Sequence, residues 1–361
     1  MRIAQVAPLY EAVPPQAYGG ATERMIHYLT EELIRRGHHV TLFATADSAT
    51  SAELVPLCPR GLRRDAKVWD TLTHHVRELE AVVQRAPRFD VVHFHGDPLH
   101  FPLARRLSCM HLTTMHGQLL PVDHGPLLRE FSEAPLVSVS DDQRQPVPEA
   151  NWQATIHYGL PPDAFSLNES PHGYLLFLGR MTPQNRPDLA IEIARRARLP
   201  LKMAAKVYPG EMSYFREQVE PLIETHKSWV DYLGEAGSAQ RAELLANARA
   251  LIFPVQWPQP FGMAMIEAMA CGTPTIAFRC GAVPEIVEDG VTGFIVDNVD
   301  DAVQAVTRID VLSRRRCRAA FEARFTSARM AVEYVSVYER LLAPRVVRNH
   351  QVRELPRRRH R

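Results

Sequence analysis

Ala250-Leu251-Ile252-Phe253-Pro254-Val255-Gln256-Trp257-Pro258-Gln259-Pro260-Phe261-Gly262-Met263-Ala264-Met265-Ile266-Glu267-Ala268-Met269-Ala270-Cys271-Gly272-Thr273-Pro274-Thr275-Ile276-Ala277-Phe278 decides the fold class. Residues 250–253 are a short apolar run closed by proline, which reads as a buried strand. A loop stiffened by Pro254, Pro258 and Pro260 then crosses to a helix expected to start near Phe261-Gly262, and a second apolar strand follows at Thr275–Phe278. Strand, helix, strand is the unit of a parallel, doubly wound α/β sheet.

Upstream the pattern repeats. Strands are expected at 174–180, 201–205 and 229–233, with helices near 187–198, 211–225 and 239–249 between them. Helices are expected to fill 299–343. Residues 141–171, rich in proline, glycine and polar groups, read as a domain boundary. The N-terminal half is a second α/β run, with strands at 3–7, 39–44, 90–95, 110–115 and 136–140. Its first helix carries Met25, Ile26, Leu29, Leu33 and Ile34 at three- and four-residue spacing and closes at Gly37. The expected organisation is a domain at 1–160, a second at 161–325, a helix at 326–343 crossing back to the first, and a tail at 344–361.

The chain has 361 residues, 46% hydrophobic and 23% charged, ordinary for two globular domains. No run approaches the roughly 20 apolar residues of a membrane helix, and the N-terminus turns polar too soon for a secretion signal. Five scattered cysteines without a Cys-x-x-Cys argue against a disulfide framework or a zinc site and for a reducing, cytoplasmic setting. Net charge is +1, but residues 345–361 hold seven arginines against Glu354, so a +6 tail follows a −5 body. A mildly acidic body is not a nucleic-acid-binding face. The tail reads as a solvated, disordered end, with peripheral contact to anionic lipid as the sharper alternative.

Two facing doubly wound domains place the loops after their strands around one cleft, where such sheets bind ligands. At the start of the helix near 261, free amides and the positive end of the helix dipole form a phosphate cradle, and small residues at 262 and 264 leave it open. Glu267 lies about five residues inside, roughly 8 Å along the axis, and its side chain leans back toward the N-terminus, where a carboxylate suits the vicinal hydroxyls of a ribose. Gln259 lies on the other side of the cradle. The plainer reading makes this a buried, Met-rich helix with an incidental acid; Met265, Ala268 and Met269 are core residues in both readings.

Gln259-Pro260-Phe261-Gly262 with Glu267-Ala268-Met269-Ala270-Cys271-Gly272-Thr273-Pro274, Gly281-Ala282-Val283-Pro284-Glu285-Ile286-Val287 and Gly290-Val291-Thr292-Gly293-Phe294 together resemble the family 4 retaining glycosyltransferases of GT-B fold. Tyr18-Gly19-Gly20, Thr114-Met115-His116-Gly117 and Leu178-Gly179-Arg180 fit the same pattern. The resemblance implies that a sugar moves from a nucleotide-sugar donor, with UDP the expected nucleotide, to a hydroxyl acceptor (a sugar, a lipid-linked sugar or a small molecule) with no cofactor or obligatory metal. Gly19 and Gly20 would bring backbone against the donor diphosphate. Arg180 and Lys206 would clamp it. His116 would bind a donor hydroxyl near the reacting sugar, and backbone at Tyr232-Leu233 would hold the base. Phe261, Gly262, Met263 and Ala264 would supply the cradle. His93, His95 and His111 are expected to be packing or surface groups.

The chain departs from the family twice. The family's first glutamate, seven residues before its second, is Gln259 here, and its Glu-Lys-Gly after the Gly-Arg pair is Gln184-Asn185-Arg186. A hydrolase or epimerase is the weakest reading, because glycoside hydrolysis uses two carboxyl groups at the bond. A nucleotide-sugar-binding protein with little transfer stays open beside the transferase.

Overall fold

The computed structural model describes residues 1–15 and 20–343; Gly19 and the basic tail at 344–361 lie outside the described residues. The first sheet contains β1 (Arg2–Val6), β2 (His39–Ala44), β3 (Glu53–Pro56), β4 (Val91–Phe94), β5 (Met110–Met115), β6 (Leu136–Ser138) and β7 (Trp152–Thr155), in the order β3-β2-β1-β4-β5-β6-β7. The second contains β8 (Tyr174–Arg180), β9 (Leu201–Lys206), β10 (Val230–Gly234), β11 (Ala248–Phe253), β12 (Thr275–Phe278) and β13 (Gly293–Val296), ordered β10-β9-β8-β11-β12-β13. Neighbouring strands are parallel in both sheets. Each order reverses once, between β1 and β4 and between β8 and β11. The crevice outside the carboxyl ends at such a reversal is where open α/β sheets take ligands.

The strand–helix–strand unit at 250–278 forms as read, with one shift. The helix runs Met263–Ala270, and Gly262 caps it in the left-handed region at φ 106° rather than lying inside it. All eight helical residues are buried, so the segment is core on every face. Strands β3, β7 and β13 have no counterpart in the sequence reading.

The expected boundary segment contains β7, which completes the first sheet, so the crossing to the second sheet follows Thr155. Beyond it, the backbones of Leu160 and Phe325 and of Ser327 and Leu160 exchange 2.9 Å hydrogen bonds. These start the helix Ser327–Leu342, which packs on the first helix, Ala21–Arg35. Its buried stripe is Met330, Ala331, Tyr334, Val337 and Tyr338. Val332 and Leu342, on the same helix, are substantially exposed, because the stripe follows 3.6-residue spacing from Met330. One buried cluster runs from Ile3 and Leu29 through Tyr158 and Phe261 to Phe325 and Tyr338, joining both halves. All five cysteines are free.

Candidate active site

Arg180 ends β8 and Lys206 ends β9, directly opposite one another across the two strands. Adjacent strands lie about 4.8 Å apart, so two cations there repel unless matched. Arg180 pairs with Glu211 and Lys206 with Glu235 at 3.3 Å. Both also lie over the face of Tyr208, at 4.9 and 4.8 Å from the ring centroid, where the ring's negative face favours a cation. Tyr208, two residues beyond Lys206, went unread in the sequence. Arg180 remains 54% exposed and, with Tyr208, lines a cleft cavity of about 450 Å³.

Across that cavity stand Tyr10, Gly20, Glu23, Arg24, Asp97 and His116. Gly20 caps the helix Ala21–Arg35 at φ 60°, a left-handed backbone that favours glycine; a Cβ there would also press on the Pro15 ring at 3.2 Å and displace the Glu23 carboxyl. Burial raises the Glu23 carboxyl to about 7.

His116 belongs to a buried hydrogen-bonded chain. Its Nδ1 meets Tyr158 Oη at 2.7 Å and its Nε2 meets His95 Nδ1 at 3.0 Å. His95 Nε2 meets Gln5 Oε1 at 2.5 Å, and Gln5 Nε2 donates to Tyr338 Oη at 3.3 Å. Tyr338 Oη lies 2.7 Å from His93 Nδ1, and His93 Nε2 meets Thr114 Oγ1, which in turn contacts Tyr334 Oη. An amide oxygen only accepts, so His95 Nε2 carries the proton. His116 then donates from Nε2 and accepts the Tyr158 hydroxyl at Nδ1. Burial keeps the rings neutral: His116 is pushed down to about 3, and His93 and His95 lie well below the usual histidine range. Both ring nitrogens of His116 are therefore engaged inside the protein in this conformation, and its ring forms part of the cleft wall. His93 and His95 are buried, and their hydrogen bonds couple the strand ends to the helix Ser327–Leu342.

Glu267 is 1% exposed. Its carboxylate binds Arg241 on one side and Arg24 Nη1 on the other, at 3.3 Å. Arg24 Nη2 also lies 3.8 Å from Met263 Sδ. An arginine from the first domain thus reaches over the start of the Met263 helix. Of residues 261–264 only Gly262 is more than marginally exposed, and none lines the large cavity. The open cradle expected there is covered in this conformation, because Arg24 finds its buried partner in Glu267. Phe261 packs its ring on Tyr158, 4.8 Å away, and on His157, so it serves the join between the halves.

Gln259 Nε2 donates to Asn185 Oδ1 at 3.0 Å. Arg186 bonds Gln256, and the Gln256 amide donates to Gln184 O at 3.3 Å, so the loops after β8 and β11 are zipped together. Glu285, within the quoted motif but without an assigned role, accepts the backbone amides of Asp141 and Asp142 at 2.8 Å each and faces His157 Nε2 at 3.0 Å. Tyr232 and Leu233 lie on the edge strand β10, with Tyr232 Oη donating to Ala205 O at 3.0 Å. No helix among the described residues is long and apolar enough to cross a membrane.

Comparison with known proteins agrees with this architecture. The Glycosyltransferase Family 4 pattern matches residues 18–137 and the Glycosyl transferases group 1 pattern residues 172–310. The chain is 27% identical over 382 residues to a phosphatidyl-myo-inositol mannosyltransferase of Mycobacterium leprae, covering 94% of this chain and 96% of that one. Among solved structures it resembles AviGT4, a glycosyltransferase involved in avilamycin A biosynthesis, with TM-score 0.73 and 24% identity over 95% of this chain and 98% of the other. It also resembles Anabaena Alr3699/HepE, solved in complex with UDP, with TM-score 0.71 and 17% identity over 94% and 100%.

Proposed function

This chain belongs to the family 4, group 1 glycosyltransferases, and on that premise we propose that it transfers a hexose from a UDP-sugar to a hydroxyl acceptor with retention of anomeric configuration. The observation that carries this reading is the cation pair at the adjoining ends of β8 and β9, both cations over the Tyr208 ring, with Arg180 and Tyr208 lining the cleft. As the bond between the sugar's anomeric carbon and the diphosphate oxygen breaks, negative charge grows on the leaving group. Fixed cations already in place stabilise it without reorganising. The acceptor oxygen bonds the same face of that carbon, and its proton passes to the departing phosphate oxygen, so no dedicated protein base is required. Glu267, at the base of the Met263 helix, is the partner for the ribose hydroxyls once Arg24 moves aside. Tyr232 and Leu233 offer backbone to the base.

Calorimetric titration with UDP, GDP and ADP tests the donor, and UDP is expected to bind most tightly. The anomeric configuration of the product, read by NMR, tests retention; an inverted product refutes it. A second reading, a nucleotide-sugar-binding protein with little transfer, is favoured by the Gln259–Asn185 contact, which puts two neutral amides where the family usually has a glutamate and a lysine. Release of sugar from a UDP-sugar at a rate indistinguishable from buffer, with UDP still bound, would select it.

A further inference from the structure

A second cavity, of about 230 Å³, adjoins the cleft on its N-terminal side. It lies between the helix Thr71–Arg85 and the carboxyl ends of β1 and β4, and Tyr10, Gly96 and Asp97 line both spaces. Its walls are largely apolar, with Leu79 and Phe94 among them, and Leu72 and Leu99 are partly exposed at its mouth. An engineered apolar cavity of about 150 Å³ holds a benzene ring, so this one has room for a one- or two-ring body.

One residue contradicts an apolar purpose. Thr71, His75 and Glu78 share a helix face and all three line the cavity. Glu78 is only 3% exposed, and its Oε1 is buried with no hydrogen-bond partner. Burial holds its carboxyl well above the usual range. An unpartnered buried carboxyl is a standing cost that any apolar side chain would avoid. The lining also holds Asp97 but no lysine or arginine, and His100, pushed down to about 3, is neutral. An amine reaching Glu78 can take its proton and pair with the carboxylate left behind, whereas an anion would meet no cation in the lining.

We propose that this cavity seats the apolar body of the acceptor, one or two rings in size, and that the body carries an amine that pairs with Glu78. The acceptor role rests on the transferase reading: a molecule held here reaches through the shared wall of Tyr10, Gly96 and Asp97 into the cleft, where its hydroxyl meets the donor sugar.

Ligand-observed NMR titrations of the full chain with benzylamine, benzyl alcohol and benzoate test the site. Benzylamine should bind about tenfold more tightly than benzyl alcohol, the margin of a charged over a neutral hydrogen bond, and benzoate should not saturate. Glu78→Gln should abolish the preference for benzylamine. Leu72→Trp, at the exposed mouth, should weaken both neutral and cationic probes while leaving the fold intact. Benzoate or benzyl alcohol matching benzylamine, or a preference that survives Glu78→Gln, overturns the proposal. UDP titration of the same samples separates the two readings. Both variants should keep the affinity of the unaltered chain; if UDP fails to bind even that chain, the transferase reading and the acceptor role fall together, and the probe affinities alone judge the amine site.

Discussion

Gln259 and Asn185, 74 residues apart, are hydrogen-bonded side chain to side chain at 3.0 Å, so the two departures from the family pattern meet in one contact. Asn185 is oriented for the contact. Its Nδ2 donates to Arg180 O at 3.2 Å, leaving Oδ1 to face Gln259. A carboxylate at 259 would oppose that oxygen. Gln259→Glu alone is therefore expected to lower stability by about 1 to 3 kcal/mol, the cost of an unmatched buried acceptor, with little gain in sugar transfer. Combined with Asn185→Lys it should recover stability and raise transfer. A double-mutant cycle on denaturation midpoint and turnover checks this; additive effects would mean that the positions act independently.

Replacing either cation should separate chemistry from folding. Lys206→Ala and Arg180→Ala are each expected to cut transfer by about 100-fold or more, the scale of a lost transition-state charge partner. Both side chains pair near the surface, where an ion pair contributes about 1 kcal/mol or less, so melting temperatures should hardly move. Tyr208→Leu should act more weakly and in the same direction. Unaltered turnover in Lys206→Ala would remove that residue from the reaction.

The alternation of apolar strands and periodic helices was legible because a buried parallel strand must be nearly all apolar. It failed at β3, β7 and β13, all edge strands. Trp152-Gln153-Ala154-Thr155 is only half-buried and presents no apolar run to read. The cation pair was legible because each member ends a strand within a local motif. Glu267 was located, but its clamp was not, since Arg24 lies 243 residues away on another domain. The histidine chain was equally hidden. Its members come from β1, from β4 and β5 and the residues just past their ends, from Tyr158 beyond β7 and from the last helix, and only the finished fold shows that His116 spends both nitrogens internally.

The buried histidines, those of the chain and His100 beside it, make the protein acid-labile. His93, His95, His100 and His116 are all held neutral by burial, the last two at about 3. In the unfolded chain they titrate near 6.5. Their contribution is whole above that value and is lost as pH falls toward 3, by roughly 1.4 kcal/mol per pH unit for each histidine. Melting temperature should drop steeply between pH 6.5 and 4.5, and His93→Gln should flatten the slope by about one proton. A constant melting temperature across that range would contradict the neutral assignment.

Glu23 works in the opposite window. Its carboxyl, raised to about 7 chiefly by burial, favours the folded state below 4.5, and that contribution fades as pH rises through 7. Glu23→Gln should change little at pH 5 and stabilise the protein at pH 8.5 by on the order of 3 kcal/mol. Denaturant titrations at the two pH values provide the comparison.

Arg24 covers the helix start that the donor diphosphate would approach, and it does so through Glu267. If binding requires the arginine to leave, measured affinity is reduced by the fraction of molecules in which it has not. In Arg24→Ala, Arg241 still neutralises Glu267, so the fold should survive with a modest loss of stability. The helix amides and the carboxylate would then be uncovered in most molecules. UDP should bind that variant more tightly, by up to about tenfold, and Arg24→Lys, which keeps the charge without the fork, should fall between the two. Weaker binding in Arg24→Ala would instead make the guanidinium part of the phosphate clamp, so the direction of the change in UDP affinity decides whether this arginine guards the seat or belongs to it.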